Sequence, residues 1–324
     1  MKEPKYLVDH LFTADPAVHL FEGKLYIYPS HDRESGIPEN DNGDHFDMND
    51  YHIFSTSDIE NEPLTDHGVV LKVSDIPWAG RQLWDCDVAF KNGMYYMYYP
   101  LKDRTDIFRL GVAISDKPEG PFTPMPDPIR GSYSIDPAVF EDTDGKHYLY
   151  FGGLWGGQLQ RYKDNKALEC ACLPPGDELA LPSRVVRLSD DMLEFAEEPR
   201  PVILLDQDGS PMKAGQTDRR FFEASWMHRY MGKYYFSYST GDTHLLCYAT
   251  GDNPYGPFTY QGIILTPVVG WTTHHSIVEF KGKWYLFFHD SIPSGGKTWL
   301  RSLKVVEMEY DKDGKIRTID GGGA

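Results

Sequence analysis

A short cassette recurs five times along this chain of 324 residues: a polar residue, an apolar run, a Gly-centred turn, and a second run rich in Tyr, Phe and Trp. The copies occupy residues 15–29, 85–99, 136–151, 223–238 and 274–289. Aligned on the turn glycine, they begin with Asp15, Asp85, Asp136, Glu223 and His274. β-Branched and aromatic residues suit pleated strands, and Gly supplies the positive φ of a tight turn, so each cassette predicts a β-hairpin.

A second recurring element follows the hairpins and predicts further strands. It covers residues 51–58, 110–124, 185–195, 245–260 and 299–311, and short runs at 68–71 and 262–265 can supply a fourth strand. Five units of about four short strands predict an all-β fold, a five-bladed β-propeller, in which radial repetition leaves only short sheet edges. Because the repetition leaves no room for a linker, we expect one catalytic domain over residues 1–324.

Two irregular segments interrupt the repeat. Residues 31–50 are rich in polar and turn-forming types, and prolines and a glycine within residues 155–184 break any continuous helical periodicity. We expect both segments to be loops at the rim of a pocket, the second with at most a turn or two of helix; an irregular excursion on the surface is the alternative for the second.

Composition narrows the class of partner. A formal net charge of −17 argues against nucleic acid, and no stretch approaches the roughly 20 apolar residues of a membrane span. The 21 Tyr, 17 Phe and 7 Trp residues exceed what a core needs, and aromatic platforms combined with carboxylates fit sugars as neutral ligands. Four cysteines without a repeated CxxC spacing favour free thiols, and the N-terminus has no secretory apolar run, so we expect a cytoplasmic protein.

The first positions of the cassettes carry the chemical argument. In a propeller the innermost strands begin near the central axis, so Asp15, Asp136 and Glu223 should line one small pocket. Glycoside hydrolysis needs one protonated and one ionised carboxyl group. The aromatic residues that flank Glu223 would keep it protonated, whereas Asp15 lies in a polar turn and suits the base. Asp136 would help to hold Glu223 protonated by like-charge repulsion and would orient the sugar.

The two DPAV segments at 15–18 and 136–139, the FFEAS segment at 221–225 and HHS at 274–276 together resemble glycoside hydrolase family 43. These are five-bladed propeller enzymes that act on arabinose- and xylose-containing polysaccharides, and the resemblance covers essentially the whole chain. It implies hydrolysis with inversion, with Asp15 as general base, Asp136 as pKa modulator and Glu223 as general acid.

The same resemblance implies a substrate subsite. Arg301 in WLRSLKVVEM is similar to the family's arginine near the terminal sugar, and Trp84 in LWDCDV to an aromatic wall. Asp85 stands where the family often has a small residue, and we expect it to bind a sugar hydroxyl. Trp155, at the start of the second irregular segment, is a further candidate for substrate binding.

His274 resembles the family's axial histidine, which binds a calcium ion held mostly by water. The resemblance therefore implies a Ca²⁺ site beside His274, although calcium prefers oxygen ligands. His275 is the second choice, because neighbouring residues of a strand point to opposite faces.

The expected substrates are pentose-containing oligosaccharides derived from xylan or arabinan. Loops that wall a cleft into a pocket admit only chain ends or side branches, which favours an exo-acting β-xylosidase or α-L-arabinofuranosidase. An endo-acting arabinanase and a non-catalytic sugar-binding propeller are the alternatives. Three carboxyl groups at equivalent repeat positions favour an enzyme, since a binding module has no use for a buried acid beside two carboxylates.

Overall fold

A computed structural model describes residues 3–271 and 273–323, and nearly all of its regular elements are short β-strands. The strands in chain order are β1 (Lys5–Tyr6), β2 (Phe12–Phe21), β3 (Lys24–Asp32), β4 (Asp50–Thr56), β5 (Thr65–Lys72), β6 (Ala79–Leu83), β7 (Asp87–Lys91), β8 (Met94–Asp103), β9 (Phe108–Ser115), β10 (Thr123–Pro124), β11 (Ala138–Glu141), β12 (His147–Phe151), β13 (Tyr162–Lys163), β14 (Lys166–Ala167), β15 (Arg184–Arg187), β16 (Arg200–Pro201), β17 (Leu204–Leu205), β18 (Glu223–Tyr230), β19 (Lys233–Ser239), β20 (Leu246–Gly251), β21 (Phe258–Leu265), β22 (Ser276–Phe280), β23 (Lys283–Asp290) and β24 (Ser302–Met308). Short 3₁₀ helices span Val73–Asp75, Trp155–Gly157, Leu159–Arg161 and Ile292–Ser294.

These strands form the five blades of a β-propeller, which confirms the predicted fold. The blades have the strand orders β2-β3-β4-β5, β7-β8-β9-β10, β11-β12-β15-β16, β18-β19-β20-β21-β17 and β22-β23-β24-β1, and β6 also pairs with β8. The first strand of each blade contacts the first strand of the next, so that β2, β7, β11, β18 and β22 form a ring around the axis. The N-terminal strand β1 is the outer strand of the fifth blade and thereby closes the ring.

The five predicted hairpins are the inner two strands of the five blades. Four of them turn through two residues of positive φ, of which the second is glycine; in the first blade these are Glu22 and Gly23, with φ of 52° and 79°. Such turns match the right-handed twist of the flanking strands. The recurring sequence cassette is therefore the physical unit that brings each inner strand to the axis.

Apolar side chains from the faces of adjacent blades pack against one another. Between the first and fifth blades, Leu25, Ile27 and Phe54 form a buried cluster with Phe287 and Val305. A second buried cluster connects the remaining blade faces. This packing surrounds the ring of inner strands and fixes where their first residues lie.

The two irregular segments lie in different places relative to the central pocket. Residues 39–48 of the first line the central pocket, as predicted. Of the second, only Leu154 to Gly157 and their neighbours reach that pocket, whereas residues from Gln160 to Arg184 border a separate cavity of about 830 Å³. The chain leaves the rim because Gln158 adopts a left-handed conformation and Leu159 is buried in the core.

The four cysteines are free thiols. In the described part of the chain, every helix is too short or too polar to cross a membrane.

Candidate active site

Two of the three candidate catalytic carboxyl groups lie at β-bulges in innermost strands. In β2 the register with β3 shifts between Ala14 and Ala17, so that Asp15 and the residue after it oppose a single residue. The register of β18 with β19 shifts in the same way between Glu223 and Trp226. A bulge redirects the side chains beside it. Both carboxyl groups consequently face the same pocket.

The backbone around these groups is strained. Asp15, Asp136 and Ala224 have φ values of 48°, 59° and 62°, which residues other than glycine rarely adopt. Asp136 Oδ2 accepts a hydrogen bond of 2.6 Å from the backbone N–H of Ala224, and this bond ties the third blade to the bulge of the fourth. Strain of this kind persists where the surroundings enforce it, and such places cluster at active sites.

Asp15 is held as a carboxylate by cationic and polar neighbours. Its Oδ1 accepts a hydrogen bond of 2.7 Å from Arg301 Nη1, and its Oδ2 accepts one of 2.7 Å from Ser30 Oγ. Its backbone N–H donates to His289 Nδ1 at 3.1 Å, and His274 Nδ1 lies 3.7 Å from Oδ1. Burial acts to raise the pKa of Asp15, but Arg301 and the two imidazoles outweigh it and hold this pKa well below its usual range.

Arg301 is fixed in place by a second carboxylate, Asp32. The guanidinium donates from Nε to Asp32 Oδ2 at 2.8 Å and from Nη2 to Oδ1 at 2.7 Å. Burial acts to lower the pKa of Arg301, but Asp15 and Asp32 together raise it above its usual range. Arg301 lines the pocket, as expected, and its charge faces the candidate base as well as the sugar space.

Glu223 lies in the opposite kind of environment. Burial raises its pKa well above the usual range, and the negative charges of Asp136 and Asp15 raise it further. Gly153 allows the wall to approach closely, since a Cβ at that position would lie 3.3 Å from Glu223 Cβ and 2.6 Å from Ile135 Cδ1. The surroundings of Glu223 therefore raise its pKa, whereas those of Asp15 lower the pKa of that group.

Only part of the aromatic surrounding expected for Glu223 is present at the site. Phe222 lines the pocket. Phe221 instead packs against Phe236, and Trp226 is buried and donates from Nε1 to the carbonyl oxygen of Ile277. Alternation along the strand and the bulge explain this division, because they send neighbouring side chains to different sides.

The pocket has a volume of about 480 Å³ and opens at one end of the axis. Trp84, Asp85, Trp155 and Arg301, the predicted substrate-binding residues, all line it. Trp84 donates from Nε1 to the carbonyl oxygen of Phe46 at 2.7 Å, so one wall is attached to the loop between β3 and β4. These residues form the walls of the pocket.

Sequence reasoning missed several residues of the site. Trp271 packs against Trp155, with ring centroids 5.8 Å apart, and both line the pocket together with Asp242. Trp271 lies three residues before His274, the first residue of the fifth cassette. Because the cassettes begin near the axis, this position was a signal that Trp271 lies close to the pocket. Ser30 and Asp32 recur at a spacing of two along β3, which is the signal that both face the same way.

Asp85, Asp136 and His274 form a cluster deeper in the site. Their ligating atoms all lie within 4.8 Å of one another. Burial, followed by the charges of Asp136 and Asp15, raises the pKa of Asp85 well above its usual range, and a hydrogen bond joins Asp85 to Asp136. His275 is directed away and shares a hydrogen bond of 2.6 Å with Ser237, as expected for the second choice of ligand. The cluster has the donor set of a divalent-cation site.

Comparisons with known proteins agree with this geometry. The family model described as glycosyl hydrolases family 43 matches residues 8–316. A xylosidase/arabinosidase of Bacteroides ovatus is 74% identical over 319 residues, which are 98% of this chain and 98% of that protein.

Solved structures give the same result. The structure of RS223 β-xylosidase is 73% identical, with a TM-score of 0.98 and 99% of each chain covered. A β-xylosidase/α-arabinofuranosidase from a compost microbial metagenome, solved with xylotriose in a calcium-free form, is 59% identical, with a TM-score of 0.96 over 99% of this chain and 98% of that one. The protein belongs to glycoside hydrolase family 43.

Proposed function

We propose that this protein is an exo-acting glycosidase that removes terminal xylose or arabinofuranose from xylan- or arabinan-derived oligosaccharides. One observation carries the proposal: two carboxyl groups at equivalent bulges face one pocket, and one is paired with Arg301 while the other is desolvated. That division into an ionised and a protonated carboxyl is what glycoside hydrolysis requires. Relatives named for xylosidase and arabinosidase activity supply the sugar class.

The proposed reaction is a single displacement. Glu223 donates its proton to the glycosidic oxygen as the bond to the anomeric carbon breaks, so the leaving sugar departs as an alcohol. Asp15 accepts a proton from a water molecule, whose oxygen attacks the anomeric carbon from the opposite face. The configuration is therefore inverted. Asp136 keeps the pKa of Glu223 high and holds the bulge through the Ala224 N–H.

Exo action follows from the walls of the pocket. The loop between β3 and β4 covers one side, and the segment around Trp155 together with Trp271 covers another. A polysaccharide chain can insert its end into such a space but has no open groove through which to pass. Xylose and arabinofuranose present similar hydroxyl geometry, so we expect activity on both pentosides.

The test is a time course with xylotriose and nitrophenyl pentosides, read by chromatography and by proton NMR of the first product. We expect xylose to be released from the chain end. Because the configuration is inverted, a β-linked xyloside should give α-xylose as the first product. Internal cleavage of long arabinan before any monosaccharide appears would replace this proposal by an endo-arabinanase. Binding without product release would replace it by a sugar-binding propeller.

We further propose that a divalent cation, most simply Ca²⁺, binds beside His274. The residues fit such an ion: an imidazole lies with two carboxyl groups, and a cation there would relieve the repulsion that helps to raise the pKa of Asp85. When bound, the ion supplies positive charge that keeps nearby carboxyl groups ionised.

Chelation followed by return of Ca²⁺ tests the ion. Because a ligand that binds only the folded state stabilises it, we expect lower activity and a lower Tm after chelation, both restored by Ca²⁺. In His274→Ala, the return of Ca²⁺ should restore neither activity nor Tm. An unchanged wild type without metal in elemental analysis would contradict the ion.

A further inference from the structure

A cluster of metal-ligating side chains lies outside the pocket, at the base of the loop between β3 and β4. His31 is near the end of β3, and Asp50 and His52 are near the start of β4. One ligating atom from each of the three lies within 4.8 Å of the others. The antiparallel register of β3 and β4, continued from the pair Ile27 and Phe54, puts His31 opposite Asp50 and puts His52 on the same face.

The imidazole of His52 is oriented by a carboxylate outside the cluster, whereas His31 pairs with Asp50 inside it. His31 Nδ1 lies 2.6 Å from Asp50 Oδ1. His52 Nδ1 lies 3.2 Å from Asp66 Oδ1, and Asp66 Oδ2 lies 2.9 Å from His10 Nε2. When the Nδ1–H of His52 donates to Asp66, the lone pair of Nε2 is left for a ligand. A carboxylate behind a histidine is the arrangement that orients metal-ligating imidazoles.

The cluster is accessible and its charge suits a cation. The side chains of His31, Asp50 and His52 are 22%, 26% and 15% exposed, so a hydrated ion can reach them without unfolding. Asp50 and Asp66 contribute two negative charges. One positive charge lies nearby, on Lys72 of β5, which is the strand partner of Asp50. Two imidazoles and one carboxylate match zinc and neighbouring first-row metals, whereas calcium and magnesium prefer oxygen ligands.

We propose that His31, Asp50 and His52 form a second metal site, selective for Zn²⁺ and similar ions and separate from the axial cluster at His274. The ion would take these three ligands and water as the fourth. The ion would lie where the loop of residues 33–49 leaves β3 and enters β4. This loop forms one wall of the pocket. Binding would therefore stabilise the folded protein and restrain that wall.

Zinc binding is measured on untagged protein by titration calorimetry and by metal content after dialysis, in a His274→Ala background. We expect one equivalent of Zn²⁺ in His274→Ala, and its loss when His52→Ala or His31→Ala is added. His67→Ala is the matched control, since His67 lies on the adjacent strand, bonds to Ser55 and is not part of the cluster. It should retain the full equivalent.

Two further measurements separate a metal site from a loss of folding. Co²⁺ should give the visible absorption of a tetrahedral site in His274→Ala and not in the double variant, while both give the same circular dichroism spectrum. Asp66→Asn should retain the site but bind Zn²⁺ about 10–100 times more weakly. Equal zinc uptake with and without His52, or none in His274→Ala, would mean that these residues form hydrogen-bonded His–Asp pairs only, and would overturn the proposal.

Discussion

The first and fourth blades carry the same kind of β-bulge in their innermost strands, yet the pKa values of the two carboxyl groups are shifted in opposite directions. Asp15 lies within the register shift of β2, and Glu223 comes directly before the register shift of β18. Asp15 is contacted by Arg301 and two imidazoles, whereas burial and the charge of Asp136 act on Glu223. The repeat therefore sets the positions of the carboxyl groups, and residues from other blades set their pKa values.

The two pKa values also depend on residues from different blades. Arg301 comes from the fifth blade and is aligned by Asp32 of the first, so the charge that lowers the pKa of Asp15 depends on the closure of the ring. The acid depends on the neighbouring third blade through Asp136. Substitutions that act on one carboxyl group at a time can test this division.

The largest effects should come from removing the two groups themselves. Asp15→Asn and Glu223→Gln should each reduce kcat on xylobiose by about 10²–10⁴, since general acid and base catalysis contribute that much. On a nitrophenyl xyloside, Asp15→Asn should lose as much kcat as on xylobiose. Glu223→Gln should lose much less, because the nitrophenyl leaving group hardly needs a proton. Steady-state kinetics on the two substrates measure the contrast.

Asp208→Asn, in an exposed hairpin turn, is the matched control and should keep wild-type rates. Near-normal turnover of xylobiose by either site variant would contradict its assigned role. Equal losses by both variants on the nitrophenyl substrate would erase the contrast between acid and base.

Arg301→Lys should weaken the base selectively. A single ammonium cannot reproduce the guanidinium contacts to both Asp15 and Asp32, so the pKa of Asp15 should rise by roughly 1–3 units. Since activity needs ionised Asp15, the acid limb of kcat/KM should move to higher pH while the alkaline limb stays nearly in place. The pH profile of kcat/KM measures both limbs.

Lys304→Met provides the comparison, because it removes a different buried ion pair, with Asp290 at 2.9 Å. It should lower stability without moving either limb. If Lys304→Met and Arg301→Lys shifted the profile alike, the shift would reflect general loosening.

Asp136→Asn should lower the pKa of Glu223, with a smaller effect on the pH profile than Arg301→Lys has. Asparagine can still accept the Ala224 N–H, but it removes the negative charge that raises the pKa of Glu223. Activity requires protonated Glu223, so a lower pKa should move the alkaline limb of kcat/KM down by about one pH unit. An unchanged or higher alkaline limb would show that Asp136 does not act through Glu223.

Asp85→Asn should raise stability in the presence of a chelator. The pKa of Asp85 is raised on folding, so wild-type stability is lost as the pH rises from the unfolded value through the folded one. Asparagine does not titrate, and the gain should reach roughly 1–3 kcal/mol near pH 7 and vanish at low pH. Urea unfolding at pH 4 and pH 7 tests this, and a gain independent of pH would contradict it.

The sequence predicted the backbone better than the electrostatics. Hairpins repeat locally, so the glycine-centred cassettes located all five inner strands and the residues at their starts. The bulges beside Asp15 and Glu223 were not visible, because a register shift is defined only once two strands have paired.

Contacts between distant segments explain the other omissions. Asp32 and Ser30 approach Asp15 only after β3 pairs with β2, and the pairing of Arg301 with Asp32 joins residues that are far apart in the chain. The long segment at 155–184 was predicted as a pocket rim, but most of it lies elsewhere because Leu159 is buried. Burial of a single side chain in an irregular segment has no periodic signal.

The central claim is that Asp15 is ionised and Glu223 protonated in the same molecule at the same pH. Carboxyl ¹³C NMR titration of protein labelled at Asp and Glu tests it directly, with the two resonances assigned through Asp15→Asn and Glu223→Gln. The account predicts that at pH 6 the Asp15 resonance is that of a carboxylate and the Glu223 resonance that of a carboxylic acid. Two carboxylates at pH 6, or a protonated Asp15 beside an ionised Glu223, would contradict it.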